Sequence, residues 1–259
     1  MKKISKFSLA AFIISVFFMS CNNSENKTGT TNTDTTGNKS TMTDSTTQNQ
    51  DMDAAKVAPG LYTVVKDSMG IRVLNILYKP GDSSAMHSHP DVVLYVIDGG
   101  KGEFTGKDGS KHVIDLKPGM TMIRGAETHS VKNVGTTTMK AILVEVNRPN
   151  TAAATPDPKM DAAKVAPTLY KVMADSMNIR VLMATYKPGA SSPMHTHPDN
   201  VIYVVEGTKA EFTAKDGTKH TMDMDKGMTA IMPGGTHSVK NVGNKTTKVL
   251  VIEINRPEK

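Results

Sequence analysis

A single cysteine in 259 residues, at position 21, leaves everything downstream without a partner thiol, so intrachain disulfides are excluded. Long apolar runs are scarce too. The most continuous one near the start, Phe7–Phe18, is about twelve residues, short of the ~20 needed to span a bilayer as a helix. Clustered basic charge is also missing. The formal net charge is +6, but Lys2, Lys3 and Lys6 supply three of those charges and the remaining Lys and Arg are scattered. A nucleic-acid binder would show a basic stripe, so nucleic acid is not an expected partner. Helical periodicity is lacking as well, apart from a turn's worth near Asp53–Ala58.

What the chain has in abundance is repetition. Every histidine occurs twice at one spacing of 108 residues: His87, His89, His112 and His129 return as His195, His197, His220 and His237. MDAAKVAP at Met52–Pro59 returns at Met160–Pro167, and VNRP at Val146–Pro149 returns as INRP at Ile254–Pro257. Such a period decides the architecture before any local pattern does. Asn150–Lys159 reads as a linker (150–159), leaving domains over 52–149 and 160–259, each of a size that supports its own core.

The start of the chain reads as an export signal over Met1–Ser20: a basic end, the Phe7–Phe18 apolar run, and small Ser20 before Cys21. The position of Cys21 resembles the lipidation site of bacterial lipoproteins, although Phe18 stands where leucine is usual. That resemblance implies a lipid-bearing thiol on Cys21, a place in the bacterial cell envelope, and membrane contact through the lipid anchor only. The alternative is an uncleaved anchor or an ordinary signal peptide with an incidental cysteine. Residues 21–51 form a polar tether. Asn22–Gln50 has almost no aliphatic and no aromatic residue, so it cannot offset the entropy of ordering.

Short β-type runs dominate each copy. In the first they are Ile71–Tyr78, Val92–Ile97, Glu103–Thr105, Lys111–Leu116, Met120–Arg124 and Thr138–Val146. Turn signals punctuate them: Pro80-Gly81, Gly99-Gly100, Asp108-Gly109, Pro118-Gly119 and Asn133-Val134-Gly135. Asp-Gly between such runs is a strong hairpin signal, because the tight turn needs positive φ. The expected class is all-β, two sandwiches or barrels in one chain.

Two motifs then resemble the cupin superfamily. The family's first motif runs G-x5-H-x-H with a glutamate and a glycine beyond it. Here Gly81, His87, His89 and Gly99 fit, as do Gly189, His195, His197 and Gly207. The second motif runs G-x5-P-x-G-x2-H-x3-N. Gly227, Pro233, Gly235, His237 and Asn241 follow it with one residue fewer before the histidine. Gly119, His129 and Asn133 follow it in the first copy, with Gly125 and Glu127 in place of the proline and glycine. The resemblance implies two tandem jelly-roll β-barrels packed against each other. It also implies a divalent ion in each, held by His87, His89 and His129 and by His195, His197 and His237. The family's acidic ligand is missing: the corresponding positions are Val92 or Val93, and Asn200 or Val201, with Asp91 and Asp199 one residue away.

Three neutral imidazoles leave an ion its full charge and an open position. They suit Zn, Fe, Cu or Ni and work against Mn and Mg. Affinity should fall as pH drops through the ordinary histidine range near ~6.5. His112 and His220, after the Asp-Gly turn, read as solvated strand-edge residues without a site role. Met86 and Met194 are expected to point away from the histidine face and pack in a core or between the barrels. Tyr95 and Tyr203 either line a pocket or pack. Asn133 and Asn241 are expected for turn geometry alone. The function that follows is metal-dependent binding of, or action on, a small polar or anionic molecule. The alternative is a non-catalytic ligand- or metal-binding or structural envelope module. No catalytic residue can be named from these patterns.

Overall fold

The computed structural model describes residues 52–153 and 157–258. The export signal, Cys21 and the tether lie outside the described residues. Each repeat opens on one helical turn: α1 (Ala54–Val57), and α2 (Ala162–Val165) after a 3-10 turn at Pro158–Met160. The Asp53 carboxylate caps α1, accepting from Ala55 N at 2.9 Å and Lys56 N at 3.2 Å and so satisfying donors the helix cannot.

Nine strands follow in the first repeat. They are β1 (Tyr62–Ser68), β2 (Ile71–Tyr78), β3 (His87–His89), β4 (Asp91–Asp98), β5 (Gly100–Gly106), β6 (Lys111–Leu116), β7 (Thr121–Arg124), β8 (Glu127–Asn133) and β9 (Met139–Val146). The second repeat matches them one for one: β10 (Tyr170–Ser176), β11 (Ile179–Tyr186), β12 (His195–His197), β13 (Asn200–Glu206), β14 (Lys209–Ala214), β15 (Lys219–Asp223), β16 (Thr229–Met232), β17 (Gly235–Asn241) and β18 (Thr247–Ile254). The first set forms an antiparallel five-stranded sheet, β1-β2-β9-β4-β7, and a four-stranded sheet, β3-β8-β5-β6. The second forms β10-β11-β18-β13-β16 and β12-β17-β14-β15.

The expected strands are all present. Asp108-Gly109 makes the β5–β6 turn as expected, with Gly109 at φ 81. Three strands of the first copy carry no clear apolar alternation in sequence: β1, interrupted by a register shift between Val64 and Lys66; β3, of three residues; and β8, ETHSVKN, with one aliphatic. The two-residue Met69–Gly70 turn between β1 and β2 has positive φ at both positions, 54 and 65, the primed geometry that matches strand twist.

Both faces are buried along the central strands β4 and β9 and their counterparts β13 and β18, which explains apolar runs such as VVLYV and AILVEV that do not alternate cleanly. One face meets the four-stranded sheet of its own repeat: Leu74, Tyr78, Val92, Val96 and Leu143 pack with Leu116 and Val131. The other meets the other repeat. Ile71, Val73, Val93, Ile142, Val144 and Val146 form one cluster with Ile179, Val181, Val201, Leu250, Ile252 and Ile254. Tyr95 and Tyr203 belong to this cluster, with ring centroids 6.2 Å apart, so they pack rather than line a pocket. Met86 and Met194 are half-buried and lie in none of the core clusters, because other residues supply the surface between the repeats.

The repeated Asn-Arg-Pro segments close that interface. Arg148 Nη1 donates to Asp199 Oδ2 at 2.8 Å and to the carbonyl of Arg256 at 2.9 Å, while Nε donates to Met69 O at 2.7 Å. Arg256 returns the arrangement, with Nη1 on Asp91 Oδ2 at 2.8 Å and Nε on Met177 O at 2.9 Å. Asp91 and Asp199 are thereby turned toward the other repeat, occupied in ion pairs rather than at the histidines.

Candidate metal centres

The three histidines of each copy come together on the four-stranded sheet. His87 and His129 are directly paired across β3 and β8, and His89 lies two residues along on the same face. Ring centroids are 4.9 Å apart for His87–His89 and His87–His129, and 5.4 Å for His89–His129. The set His195, His197 and His237 repeats this at 4.9, 4.7 and 5.5 Å. In each set one ring nitrogen per histidine lies within 4.8 Å of the others.

The hydrogen bonds settle which nitrogens face inward. His87 Nδ1 lies 2.8 Å from Ala85 O, and a carbonyl can only accept, so Nδ1 carries the proton and Nε2 the lone pair. That Nε2 is buried without a partner. His89 Nδ1 donates to Glu145 Oε1 at 2.7 Å, leaving its Nε2 as a second lone pair. The unmatched lone pair of His87, converging with two further imidazoles, has no hydrogen-bonding explanation, and the set fits a divalent cation. The second copy differs in one respect. The Tyr170 hydroxyl donates to His195 Nε2 at 2.9 Å and itself accepts from Tyr186 at 2.9 Å.

Burial keeps three of these rings neutral. It lowers His87 to about 4, assisted by the nearby His89 and His129 and opposed by the Ala85 hydrogen bond. It lowers His195 to about 4, and His237 to about 3 with His195 and His197 adding to the effect. Protonation in the range near 6.5, expected for ordinary histidines, is therefore displaced downward at these three. Neutral rings are the form a metal requires.

Carboxylates sit behind the histidines rather than among them. Glu145, fully buried in β9, bonds His89 through Oε1 and accepts from Arg72 Nε through Oε2 at 2.6 Å; Arg72 also pairs with the helix cap Asp53. Glu253, Arg180 and Asp161 form the same chain to His197. A carboxylate on the far nitrogen fixes the tautomer and makes the imidazole a better ligand. The motif spacing points to an acid on β4, not to these residues on β9 and β18. The signal was there: one glutamate inside each of the apolar runs ILVEV and VIEI. The chain also gives the aspartate of the repeated MDAAKVAP a role, as the far end of the network.

Of the two positions that correspond to the acidic ligand, Val93 packs between the repeats, while Val92 is buried and lines a cavity of about 440 Å³ beside His89 and His129. Asn200 stands at the corresponding place in the second copy, buried, with Nδ2 donating to Pro198 O at 2.9 Å. His112 is exposed on the edge strand β6, outside the histidine cluster, but it lines the cavity, which the sequence did not suggest. Asn133 is structural, bridging Tyr78 O at 2.9 Å and Thr137 O at 2.8 Å, and Asn241 does the same. One asymmetry was not anticipated. Glu127 Oε1 lies 3.3 Å from His129 Nδ1, and Glu127 Oε2 accepts from Arg124 at 3.2 Å. The His129 hydrogen bond holds the Glu127 carboxyl below its usual range against burial. The second copy has Met232 and Gly235 at these two positions.

Residues 182–253 match the family described as Cupin domain. No curated sequence matches the chain. Among solved structures, oxalate decarboxylase from Bacillus subtilis is similar at TM-score 0.52 and 17% identity, over 73% of this chain and 69% of that one. AerE from Microcystis aeruginosa is similar at TM-score 0.52 and 15% identity, over 75% of this chain and 97% of that one. At such identities the likeness is one of fold. With its two matching sheet pairs and its cupin-domain match, the chain has the architecture of a tandem cupin.

Proposed function

We propose that each repeat is a jelly-roll barrel holding one divalent ion, on His87, His89 and His129 in the first and on His195, His197 and His237 in the second. In this reading the barrels pack face to face, and the ion is the point at which a small molecule is bound or acted on. The unpartnered buried Nε2 of His87, aimed among two further imidazoles, is the observation that carries it. Three protein donors leave an ion with an open position, the arrangement of reactive rather than purely structural sites. The ion would supply Lewis acidity there. The chain's own residues orient His89 and His197 through Glu145 and Glu253, keep His87, His195 and His237 neutral by burial, and shield the first site with an apolar wall.

The imidazole-only donor set favours Zn, Fe, Cu or Ni. The oxalate decarboxylase of similar fold has Mn(II) centres, so a different metal is expected here. Elemental analysis of the purified chain should find two divalent ions. At His87 and His195 proton competition for the ion should begin only as pH approaches about 4, below the ordinary imidazole range. The metal-free protein behaves in a related way. A histidine whose folded-state value is depressed from 6.5 to about 4 contributes stability that is complete above 6.5 and lost as pH falls between the two. A chain that stays metal-free in excess zinc would end the metal reading.

The same proposal places the protein in the bacterial cell envelope, exported by Met1–Ser20 and anchored by lipid on Cys21. The basic start, the short apolar run and the lone cysteine support it. Labelled fatty acid should enter the wild-type chain and be lost in Cys21→Ala. Label that survives the substitution would refute the anchor.

A further inference from the structure

The cavity beside the first histidine set is lined largely by apolar side chains, with polar ones at the histidines and also at Asp98, Ser110, His112 and Lys140. Ile76, Val92, Leu94, Phe104, Met122 and Leu143 present an apolar surface from both sheets. His89, His129, Arg124 and Glu127 supply the polar groups at the histidine end. At about 440 Å³ the space equals roughly fifteen waters at ~30 Å³ each, well within the range for ligands larger than a few atoms. Water in such a space has few partners along aliphatic walls, so an apolar occupant displaces it at a gain.

The charged end is a partly exposed ion pair, Arg124 and Glu127, set beside the histidines. Arg124 reaches the cavity from β7 and spends a hydrogen bond on Glu127, which in turn bonds His129. A guanidinium has five N–H donors, so most remain for an incoming anion. The second repeat keeps the histidines but has replaced both charged residues, by Met232 and Gly235, and has put buried Asn200 where Val92 lines the first cavity. Two sites that share their metal donors therefore differ in what lies around them.

We propose that the first repeat selects an amphipathic anion, an apolar body carrying a carboxylate, with the anionic head at the histidine set, where Arg124 offers the donors that Glu127 leaves free, and the body along the apolar walls. The second repeat does not share this selectivity. The inference deepens the metal-site reading and rests on it for the ligand's approach to the histidines. It narrows the expected small polar or anionic molecule to one whose mass is mostly hydrocarbon.

Calorimetric titration of the zinc-loaded full chain with octanoate, acetate and 1-octanol tests it. Octanoate should bind one per chain, at least about tenfold tighter than acetate, because each buried methylene adds about 0.8 kcal/mol. It should also bind tighter than octanol, which lacks the charge. Arg124→Met, which installs the second repeat's residue on an exposed strand end, should weaken octanoate by about tenfold or more while leaving two ions bound. Octanoate binding no better than acetate, indifferent to Arg124→Met, or two per chain would overturn the proposal. Repeating the titration after metal removal separates the two readings. Arg124-dependent octanoate binding in a chain that never takes up zinc would sink the metal site and keep the ligand class. Two bound ions without octanoate binding would do the reverse.

Discussion

In His87→Ala the chain is expected to hold one divalent ion instead of two. His87 is one of three protein donors, and two imidazoles are too few to hold the ion tightly against water and chelators. Its ring is also fully buried, so no other side chain can reach the vacated position without rearranging β3. His195→Ala should remove the other ion, and the double variant both. A graded effect is expected one step further out. Glu145→Gln removes the negative charge behind His89 and half of the pairing of Arg72, and should weaken the first site by about 10–100-fold without abolishing it. His112→Ala should leave both ions in place, since that ring is exposed on an edge strand. Metal analysis after dialysis against a weak chelator reads all of these. Two ions retained in His87→Ala, or one lost in His112→Ala, would mean that the donors are wrongly assigned.

Arg256→Ala is expected to destabilise the whole chain by about 3–5 kcal/mol, the range for removing one partner of a buried, hydrogen-bonded ion pair. The side chain is fully buried, and its loss would leave Asp91 without its partner and Met177 O without two donors. Against a total stability of about 5–15 kcal/mol for a typical domain, that is a large fraction. Arg148→Ala should behave alike through Asp199 and Met69 O. Urea unfolding of the full chain measures both. A loss below about 1 kcal/mol, the value of a solvent-exposed pair, would show that the arginines do not clasp the repeats. The shared apolar cluster adds a related expectation. A single repeat expressed alone would expose Ile71, Val73, Val93, Ile142, Val144 and Val146 on one sheet face and should lose stability or self-associate.

Much of this architecture was legible in the amino-acid order, because the features concerned are local or periodic. The 108-residue period, the Asp108-Gly109 hairpin and the apolar runs of β2, β4 and β9 each depend on residues close in sequence. His-x-His reads as a shared face for the same reason: alternation on a strand is a property of the backbone. β1 escaped, because it loses its alternation at a register shift. β3, of three residues, and β8, mostly polar, are marked by their histidines rather than by an apolar pattern, and their pairing comes from partners elsewhere in the sheets.

Tertiary structure alone decided the rest. Glu145 is 56 residues from the His89 it orients, and Arg148 is 51 residues from the Asp199 it pairs with. Nothing in either neighbourhood announces the other, because only the packing of sheet on sheet brings them together. Asp91 and Asp199 show the converse: one residue from the family's ligand position in sequence, they lie on the opposite face of the strand and serve the interface. The difference between the two histidine sets has the same origin. Identical donor spacing marked them as equivalent. The walls around them come from strands that meet only in the folded chain, so Arg124 and Glu127 acquired a meaning there that Met232 and Gly235 do not have.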